Sequence, residues 1–274
     1  HLSARQHSDV VAGADLAEPS PLQLKETPVL LDVRDISIDY LVEEQVPHHA
    51  VQKVNFRLRE GELLGLVGES GCGKTTLMLS LMRLLPPNGL VVNGQILFNG
   101  QNLLNLSEKE INDVRWKGIS IIFQGAMNAL NPVRKVGDQI TETLCQHTDL
   151  SQPAEIQARV DELLDLVGIA PNRKDHYPHQ YSGGMRQRAM IAMALACSPQ
   201  VVIADEPTTA LDVMIQAQIL ELLAKLRSQL GLSIIFVTHD LGVVAEMCDS
   251  VLVMYSGITA EYADVDTIYN KASH

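Results

Sequence analysis

An eight-residue motif, Gly68–Thr75, constrains the fold of this chain more than any other part of its sequence. It reads Gly-Glu-Ser-Gly-Cys-Gly-Lys-Thr and matches the pattern G-x4-GK-[ST] at every fixed position. A short apolar run at residues 63–67 precedes it, and residues 75–85 follow with helical spacing. A glycine-rich turn between a buried strand and a helix binds phosphate, because its backbone N–H groups and the helix N-terminus point at the anion. The motif therefore predicts an α/β fold with a phosphate-binding loop.

The residue types within this loop assign its chemistry. Lys74 would neutralise oxygens of the β- and γ-phosphates, and the Thr75 hydroxyl would bind Mg²⁺. The glycines let the backbone turn inward, and a small residue suffices where Cys72 stands. We predict that a nucleotide and its Mg²⁺ are bound by Gly68, Ser70, Gly71, Cys72, Gly73, Lys74, Thr75 and Thr76.

A second apolar run, residues 201–204, ends in the carboxylates of Asp205 and Glu206. Acids at strand ends are common and usually solvated, so this run is informative only together with the phosphate-binding loop. In that combination Asp205 is predicted to hold Mg²⁺ through its water shell. Glu206 is predicted to orient or deprotonate the attacking water. Lys74 and Glu206 are therefore candidate catalytic residues, and Thr75 and Asp205 are candidate metal ligands.

Residues 181–187, Tyr-Ser-Gly-Gly-Met-Arg-Gln, narrow the prediction further. Ser182, Gly183 and Gly184 open a helix whose N-terminus presents free N–H groups. Taken alone, the segment is only a serine-capped helix. It resembles the LSGGQ signature of ATP-binding cassette (ABC) proteins, with Tyr for Leu and Met for Gln, and precedes Asp205 at that family's spacing. The resemblance implies that Ser182, Gly183 and Gly184 face the γ-phosphate of ATP held by an opposite subunit.

Three further residues resemble other family motifs, and a fourth is a candidate for binding the base. Gln124 resembles the Q-loop glutamine, which senses Mg²⁺ and water, so it is a candidate for both metal binding and catalysis. Asp212 resembles the D-loop residue that contacts the opposite subunit near the nucleotide. His239 follows the apolar run 234–237 and resembles the catalytic H-loop histidine. Tyr40 is a candidate for stacking on adenine, although a tyrosine near a strand is as often simply packed.

Hydrophobic periodicity places the remaining elements. Strands are predicted at 29–33 and 36–38, as an edge-type pair, and at 51–58, 94–98, 119–123, 234–237, 251–255 and 258–262. Helices are predicted at 133–145, 154–167, 183–197 and 213–230. Alternating strands and helices indicate a parallel sheet. We predict an α/β ABC-type P-loop NTPase over residues 28–274, after a flexible tail at 1–27. It would have a RecA-like, mostly parallel sheet core, an antiparallel β subdomain and an inserted α-helical subdomain at about 125–198.

Composition argues against several classes of function. The formal net charge of −12 opposes sequence-independent nucleic-acid binding, so we expect no nucleic-acid partner. No CxxC pair occurs among the four cysteines, which are therefore expected to be reduced thiols. No stretch approaches the roughly 18 to 20 apolar residues that span a bilayer, and the N-terminus lacks a secretory signal. A membrane-serving protein of this kind would be peripheral, on the cytoplasmic face, and held there by partners.

The sequence most resembles the ATP-binding subunits of dipeptide, oligopeptide and nickel importers. The resemblance rests on the phosphate loop, on residues 121–132 and 177–188, and on Met-Tyr-Ser-Gly at 254–257. It implies a second ABC ATPase (identical or distinct), two transmembrane permease subunits and, indirectly, a substrate-binding protein. Hydrolysis of ATP with Mg²⁺ is expected to power uptake of di- or oligopeptides. Nickel, opine or oligosaccharide uptake remains an alternative, as does a non-transport role in DNA repair or on the ribosome.

Two departures from the family pattern concern the Q-loop and the end of the chain. Gly125-Ala126 follows Gln124 where many relatives carry Asp-Pro, which leaves the glutamine itself unchanged. The sequence stops at Ala272-Ser273-His274, which suggests a truncated chain, because relatives typically continue with Pro-Tyr-Thr and an extension. In some members that extension is rich in cysteine and carries an iron–sulfur cluster. We expect no iron–sulfur cluster in this chain.

Overall fold

Two β-sheets carry the fold, and the computed structural model describes residues 26–41, 46–125 and 129–271. The strands are β1 Val29–Tyr40, β2 His48–Arg59, β3 Leu63–Gly68, β4 Gly89–Phe98, β5 Gln101–Asn102, β6 Ile119–Ile122, β7 Val201–Asp205, β8 Ser233–Thr238, β9 Ser250–Tyr255 and β10 Ile258–Asp264. The helices are α1 Lys74–Leu81, α2 Glu108–Val114, α3 Val136–His147, α4 Pro153–Leu166, α5 Gly183–Ala194, α6 Val213–Leu230, α7 Leu241–Met247 and α8 Val265–Lys271.

The larger sheet has the strand order β10-β9-β3-β8-β7-β6. Its strands are parallel except β10, which runs antiparallel to β9 at one edge. Every residue of β7 and β8 is buried, because helices or the second sheet cover both faces, and this explains their unbroken apolar runs. The predicted mostly parallel core is confirmed. Parallel pairing also brings Gly68, Asp205 and Thr238 to the same edge of the sheet.

The smaller sheet is antiparallel, with the order β2-β1-β4-β5. The prediction of an edge-type strand pair at 29–33 and 36–38 was wrong, because both segments belong to one central strand paired with β2 and β4. A β-bulge at Asp35 interrupts the alternation of buried and exposed side chains along β1. Asp35 has φ 48°, and the pairing register of β1 shifts beside it with both β2 and β4. Gly94 lies opposite, where a Cβ would come within 2.5 Å of the Arg34 carbonyl oxygen. Strand β4 therefore runs through this glycine and begins at Gly89, not at residue 94.

A helical subdomain of α3, α4 and α5 is inserted between the adjacent strands β6 and β7. Leu144, Leu163 and Ile191, one from each helix, are fully or almost fully buried in a shared core that also includes Val202 of the sheet. The Arg188 guanidinium donates to the carbonyl oxygen of Val167 at 2.7 Å and so ties α5 to the end of α4. These contacts agree with the predicted insertion, of which residues 126–128 lie outside the described part of the chain.

Helix α3 begins at Val136 and not at the predicted residue 133. The buried side chain of Gln139 accounts for the difference. Its amide oxygen accepts from the Asn131 N–H at 2.9 Å, and its amide nitrogen donates to the carbonyl oxygens of Asn131 and Arg134 at 3.1 Å each. Because these bonds hold residues 131–134 in a turn, the helix starts only after it.

Other helix ends also differ from the prediction. Helix α1 ends at Leu81 instead of residue 85, since Arg83 takes a φ of 49° that no helix can continue. Helix α5 ends at Ala194 instead of residue 197. Helices α2, α7 and α8 were not predicted. Helix α2 starts with a capping box, in which Ser107 N–H donates to Glu110 and Glu110 N–H donates to the Ser107 hydroxyl.

Trp116, between α2 and β6, lies against His147 at the end of α3. The two rings stack with their centroids 5.1 Å apart and an interplanar angle of 20°. Burial, followed by the nearby Lys117 charge, lowers the pKa of His147. The stack therefore adds a side-chain contact between the sheet core and the helical subdomain to the chain connections that join them.

The predicted tail at 1–27 lies almost wholly outside the described residues. Thr27, near its end, receives a hydrogen bond on its carbonyl oxygen from Arg59 at 2.7 Å. The predicted chain end at 272–274 also lies outside the described residues. Across the part of the chain that the structure describes, none of the helices combines the length and apolarity needed to cross a membrane.

Candidate nucleotide-binding and hydrolysis site

The phosphate-binding loop joins β3 to α1 and has the backbone that its glycines permit. Gly71 and Gly73 have φ angles of 81° and 100°, in the left-handed region that strains other residues. A Cβ on Gly73 would lie 2.5 Å from the Ala50 carbonyl oxygen, so β2 closes the space behind the loop. A Cβ on Gly68 would lie 2.3 Å from the Met254 carbonyl oxygen. The loop is thus held between β2 and β9 in a shape that only glycine allows at these positions.

Lys74 lies inside this loop, with only 7% of its surface exposed. Its ammonium group donates to the carbonyl oxygens of Gly68 at 2.7 Å and Glu69 at 2.9 Å. Two backbone carbonyls give a cation hydrogen bonds but no neutralising charge. The loop therefore presents a positive charge together with the N-terminus of α1, which suits a polyphosphate anion.

Thr75 and Asp205 form the metal-binding candidate. The Thr75 hydroxyl donates to Asp205 Oδ2 at 3.1 Å, and Asp205 is 2% exposed. Burial raises the pKa of Asp205, and the Thr75 hydrogen bond opposes this shift. The described residues contain no cluster of three or more His, Cys, Asp or Glu side chains able to hold a metal alone. A buried carboxylate beside a hydroxyl nevertheless fits Mg²⁺, which keeps several waters and takes phosphate oxygens as ligands.

Glu206 is the meeting point of three other polar side chains. Its Oε2 accepts from Gln124 Nε2 at 2.7 Å and from the Thr209 hydroxyl at 3.0 Å. Its Oε1 lies 3.5 Å from His239 Nδ1. The structure thus brings together the three residues predicted at the ends of β6, β7 and β8. Thr209 was not singled out from the sequence, where two adjacent threonines carry no signal for such a contact.

Tyr40 ends β1 beside the phosphate loop. Its phenol oxygen lies 3.2 Å from the Thr76 hydroxyl, and a Cβ on Gly89 would come within 2.9 Å of its ring. The close approach of Gly89 fixes one side of the ring. Tyr40 therefore stands next to the start of α1.

The signature residues lie elsewhere on the chain. Ser182 caps α5 by accepting from the Met185 N–H at 3.2 Å, and Asp212 caps α6 by accepting from the Ile215 N–H at 3.0 Å. The two helix starts touch, because a Cβ on Gly184 would lie 2.8 Å from Ile215 Cγ2. Among the described residues, no hydrogen bond joins Ser182 to the phosphate loop. Ser182 is exposed, whereas Gly184 is buried against α6.

This arrangement of sheet, phosphate loop, paired carboxylates and inserted helices defines a P-loop ATPase of the cassette type. Comparison with known proteins agrees. The family model described as ABC transporter matches residues 51–209. The chain belongs to the ABC transporter family, as an ATP-binding ATPase.

Named relatives are identical to this chain at about half of the aligned positions. It is 52% identical to the probable peptide ABC transporter ATP-binding protein y4tR of Sinorhizobium fredii, over 90% of this chain and 74% of that protein. It is 51% identical to the oligopeptide transport ATP-binding protein OppD of Bacillus subtilis, over 89% of this chain and 69% of that protein.

Solved structures give the same fold. A dimeric structure of MJ0796, a bacterial ABC transporter cassette, aligns with a TM-score of 0.75 at 26% identity, over 86% of this chain and 98% of that chain. The same cassette has been solved in a dimeric post-hydrolysis state bound to ADP and Pi, with the same coverage and score. The structure of cbiO1 from Clostridium perfringens, part of the transporter complex cbiONQ, aligns at 0.76 and 30% identity, over 89% and 91% of the two chains.

Proposed function

We propose that this chain is the ATPase subunit of a membrane importer for di- or oligopeptides, bound peripherally at the cytoplasmic face. The ATPase assignment rests on one observation: Lys74, the Thr75–Asp205 pair and the Glu206 cluster lie together at one edge of the sheet. The Glu206 cluster is Glu206 with the side chains that surround its carboxylate, namely Gln124, Thr209 and His239. The peptide cargo is supported by relatives of about half identity that are named as peptide or oligopeptide transport ATP-binding proteins.

The binding step follows from the charge and shape of the loop. The backbone N–H groups of residues 68–76 and the Lys74 ammonium would hold the β- and γ-phosphates, and Tyr40 would stack on adenine. Thr75 and Asp205, with Gln124 nearby, would hold Mg²⁺, which when bound neutralises charge on the phosphate oxygens. Burial of the Asp205 carboxylate supports this assignment, because a nearby cation would compensate its desolvation.

The hydrolytic step assigns a role to each member of the Glu206 cluster. The oxygen of a water forms a bond to the γ-phosphorus while the bond from that phosphorus to the β–γ bridging oxygen breaks. Glu206 receives the proton of the water, and ADP leaves with its charge on the former bridging oxygen. The proton then passes to the released phosphate or to solvent. His239, whose side chain is 72% exposed, can approach the γ-phosphate from the side of Glu206 Oε1.

A second ATPase chain completes each site in this proposal. The start of α5, with Ser182, Gly183 and Gly184, would face the γ-phosphate held by the partner, while Asp212 would lie at the same interface. The dimeric neighbour structures support this arrangement. ATP would then favour the closed pair, since it contacts both chains only there, and hydrolysis would release it. Gln124, at the entry to the helical subdomain, would link this closure to two permease subunits and, through them, to a substrate-binding protein.

The test is a trap followed by identification of partners. Glu206→Gln should bind ATP, hydrolyse it at least about 100-fold more slowly and accumulate as a closed dimer. We would express it in its native cell with Mg-ATP, purify it from solubilised membranes and identify the bound proteins. Lys74→Ala is the matched control, because it should lose tight ATP binding and therefore fail to trap.

Recovery of two multi-span permeases and a second cassette ATPase, with loss of labelled dipeptide or oligopeptide uptake in the Glu206→Gln strain, would support the proposal. Intact peptide uptake alongside loss of nickel, opine or oligosaccharide uptake would reassign the cargo. Recovery of ribosomes or DNA-repair factors without any membrane protein would overturn the transport role. Near-normal turnover of Glu206→Gln would overturn the catalytic assignment.

A further inference from the structure

The two carboxylate oxygens of Glu206 have different surroundings. Oε2 accepts two hydrogen bonds, from Gln124 Nε2 at 2.7 Å and from the Thr209 hydroxyl at 3.0 Å. Oε1 has His239 Nδ1 at 3.5 Å and, among the described residues, no closer donor. A carboxylate oxygen that already accepts two hydrogen bonds is a poorer acceptor for a third. Oε1 is therefore the oxygen left to receive a proton from water.

The two donors to Oε2 come from different parts of the fold. Gln124 follows β6 and leads into the helical subdomain, whereas Thr209 lies in the same turn as Glu206. In that turn the Thr209 N–H donates to the Glu206 carbonyl oxygen at 3.1 Å. A shift of the helical subdomain would therefore move Gln124 relative to Glu206, but it would leave the distance from Glu206 to Thr209 unchanged.

The backbone of this turn is unusual. Glu206 and Ala210, which flank it, have φ angles of 46° and 65°, although neither is glycine. Such conformations cost energy and persist where surrounding contacts enforce them, often at functional sites. The Glu206 N–H donates to the Val237 carbonyl oxygen of β8 at 3.0 Å, and the turn runs on to Asp212, the cap of α6. The turn thus fixes the direction of the Glu206 side chain from both ends.

We propose that Thr209 is a positioning residue for ATP hydrolysis, whose hydroxyl holds Glu206 Oε2 so that Oε1 stays directed towards the attacking water. The inference rests on the proposed role of Glu206 as the group that accepts the proton. Thr209 keeps this orientation when Gln124 moves with the helical subdomain. Because Thr209 is exposed and close to Asp212, its side chain also lies where a partner ATPase would approach.

Thr209→Val, Thr209→Ser and Thr208→Val test this role on the chain assembled with the partners that copurify with it. Valine has the shape of threonine but no hydroxyl, so kcat should fall about tenfold while KM and the Kd for ATP stay within about twofold. Serine retains the hydroxyl and should restore most of kcat. Thr208→Val is the matched control, because the Thr208 side chain makes no hydrogen bond within the described residues, and it should behave like the parent.

A double-mutant cycle separates this inference from the proposed function. If Thr209 acts only through Glu206, adding Thr209→Val to Glu206→Gln should not lower the residual turnover further. An inactive Glu206→Gln with parental kcat in Thr209→Val would overturn the positioning role alone. Equal loss of kcat in the serine and valine variants would also overturn it, since the hydroxyl would then be irrelevant. Near-normal turnover of Glu206→Gln would instead remove the proposed function on which it rests.

Discussion

The Thr75 hydroxyl lies 3.1 Å from Asp205 Oδ2, although the two residues are 130 positions apart in the sequence. This hydrogen bond joins the start of α1 to the end of β7 across the parallel sheet. Thr75 is exposed, whereas Asp205 is almost completely buried and receives no other hydrogen bond among the described residues. The Thr75 hydroxyl and the nearby Lys74 charge compensate only partly for the desolvation of this carboxylate, so its ionised form is unfavourable in the nucleotide-free protein.

Replacement of Asp205 by asparagine is therefore expected to stabilise the nucleotide-free protein at neutral pH. Burial raises the pKa of Asp205 in the folded state above its ordinary value of 3.8. Below that ordinary value the carboxyl is neutral in both folded and unfolded chains, and its charge costs nothing. As pH rises through the raised folded pKa, the cost appears fully and then stays constant. Asp205→Asn should raise Tm by about 2 °C or more at neutral pH, and the gain should shrink towards acid.

Thermal melts of parent and variant across this pH range measure the difference. Asp249→Asn is a contrasting control, because Asp249 accepts from Arg227 at 2.6 Å and from the Leu63 N–H at 2.8 Å. Removing one partner of a buried ion pair leaves the other charge uncompensated, so this variant should lose stability. A fall in Tm for Asp205→Asn at neutral pH would contradict the reading of Asp205 as a costly buried charge.

Gly73→Ala is expected to damage nucleotide binding and stability together. The new Cβ would lie 2.5 Å from the Ala50 carbonyl oxygen, and the φ of 100° is unfavourable for alanine. The loop must therefore shift, and we expect ATP affinity to fall at least about tenfold and stability to fall by more than ~1 kcal/mol. Isothermal calorimetry and urea unfolding measure the two effects.

Gly61→Ala is the matched control for Gly73→Ala. Gly61 has a φ of 70°, but a Cβ there would meet nothing within 4 Å. This variant should lose about 1 kcal/mol from backbone strain alone and should bind ATP as the parent does. If the two alanine variants lost equal stability and both retained ATP affinity, the close contact with β2 would not be what shapes the loop.

Variants of Tyr40 separate stacking on a base from packing. Tyr40→Phe keeps the ring and loses only the contact with the Thr76 hydroxyl, so it should bind ATP nearly as the parent does. Tyr40→Ala should weaken ATP binding about tenfold, since stacking of a base on an aromatic ring contributes about 1–3 kcal/mol. Tripolyphosphate, which has no base, should bind both variants and the parent equally. An equal loss of ATP and tripolyphosphate affinity in Tyr40→Ala would mean that Tyr40 only supports α1.

The sequence predicted the parallel core better than it predicted the antiparallel sheet. Strands β3, β7 and β8 are buried on both faces, so each is an unbroken apolar run whose ends can be located in the sequence. Helix α6 matched its predicted bounds of 213 and 230. Strand β1 was divided in two because the bulge at Asp35 disrupts the alternation on which the prediction depends. Helix α2 was not predicted, although Ser107 followed by Glu110 is a capping-box pattern that marks its start in the sequence.

The candidate site was predicted residue by residue, but not its contacts. Motif spacing indicated Gln124, Glu206 and His239 separately, each at the end of a different strand. Gln124 and His239 both reach the Glu206 carboxylate because β7 lies between β6 and β8 in the sheet. No local sequence pattern encodes this strand order. The role of Thr209 could not be predicted either, because it depends on the left-handed backbone at Glu206 and Ala210.

Trp116 is the sole tryptophan of the chain, and it stacks on His147 across the boundary between the sheet core and the helical subdomain. The tryptophan emission of the unlabelled protein therefore originates at this one contact. The emission of an indole ring depends on its surroundings, so a change in this stack would change the tryptophan emission. The fluorescence of this tryptophan therefore reports how the helical subdomain packs on the sheet core, and it can be recorded during turnover without attaching a dye.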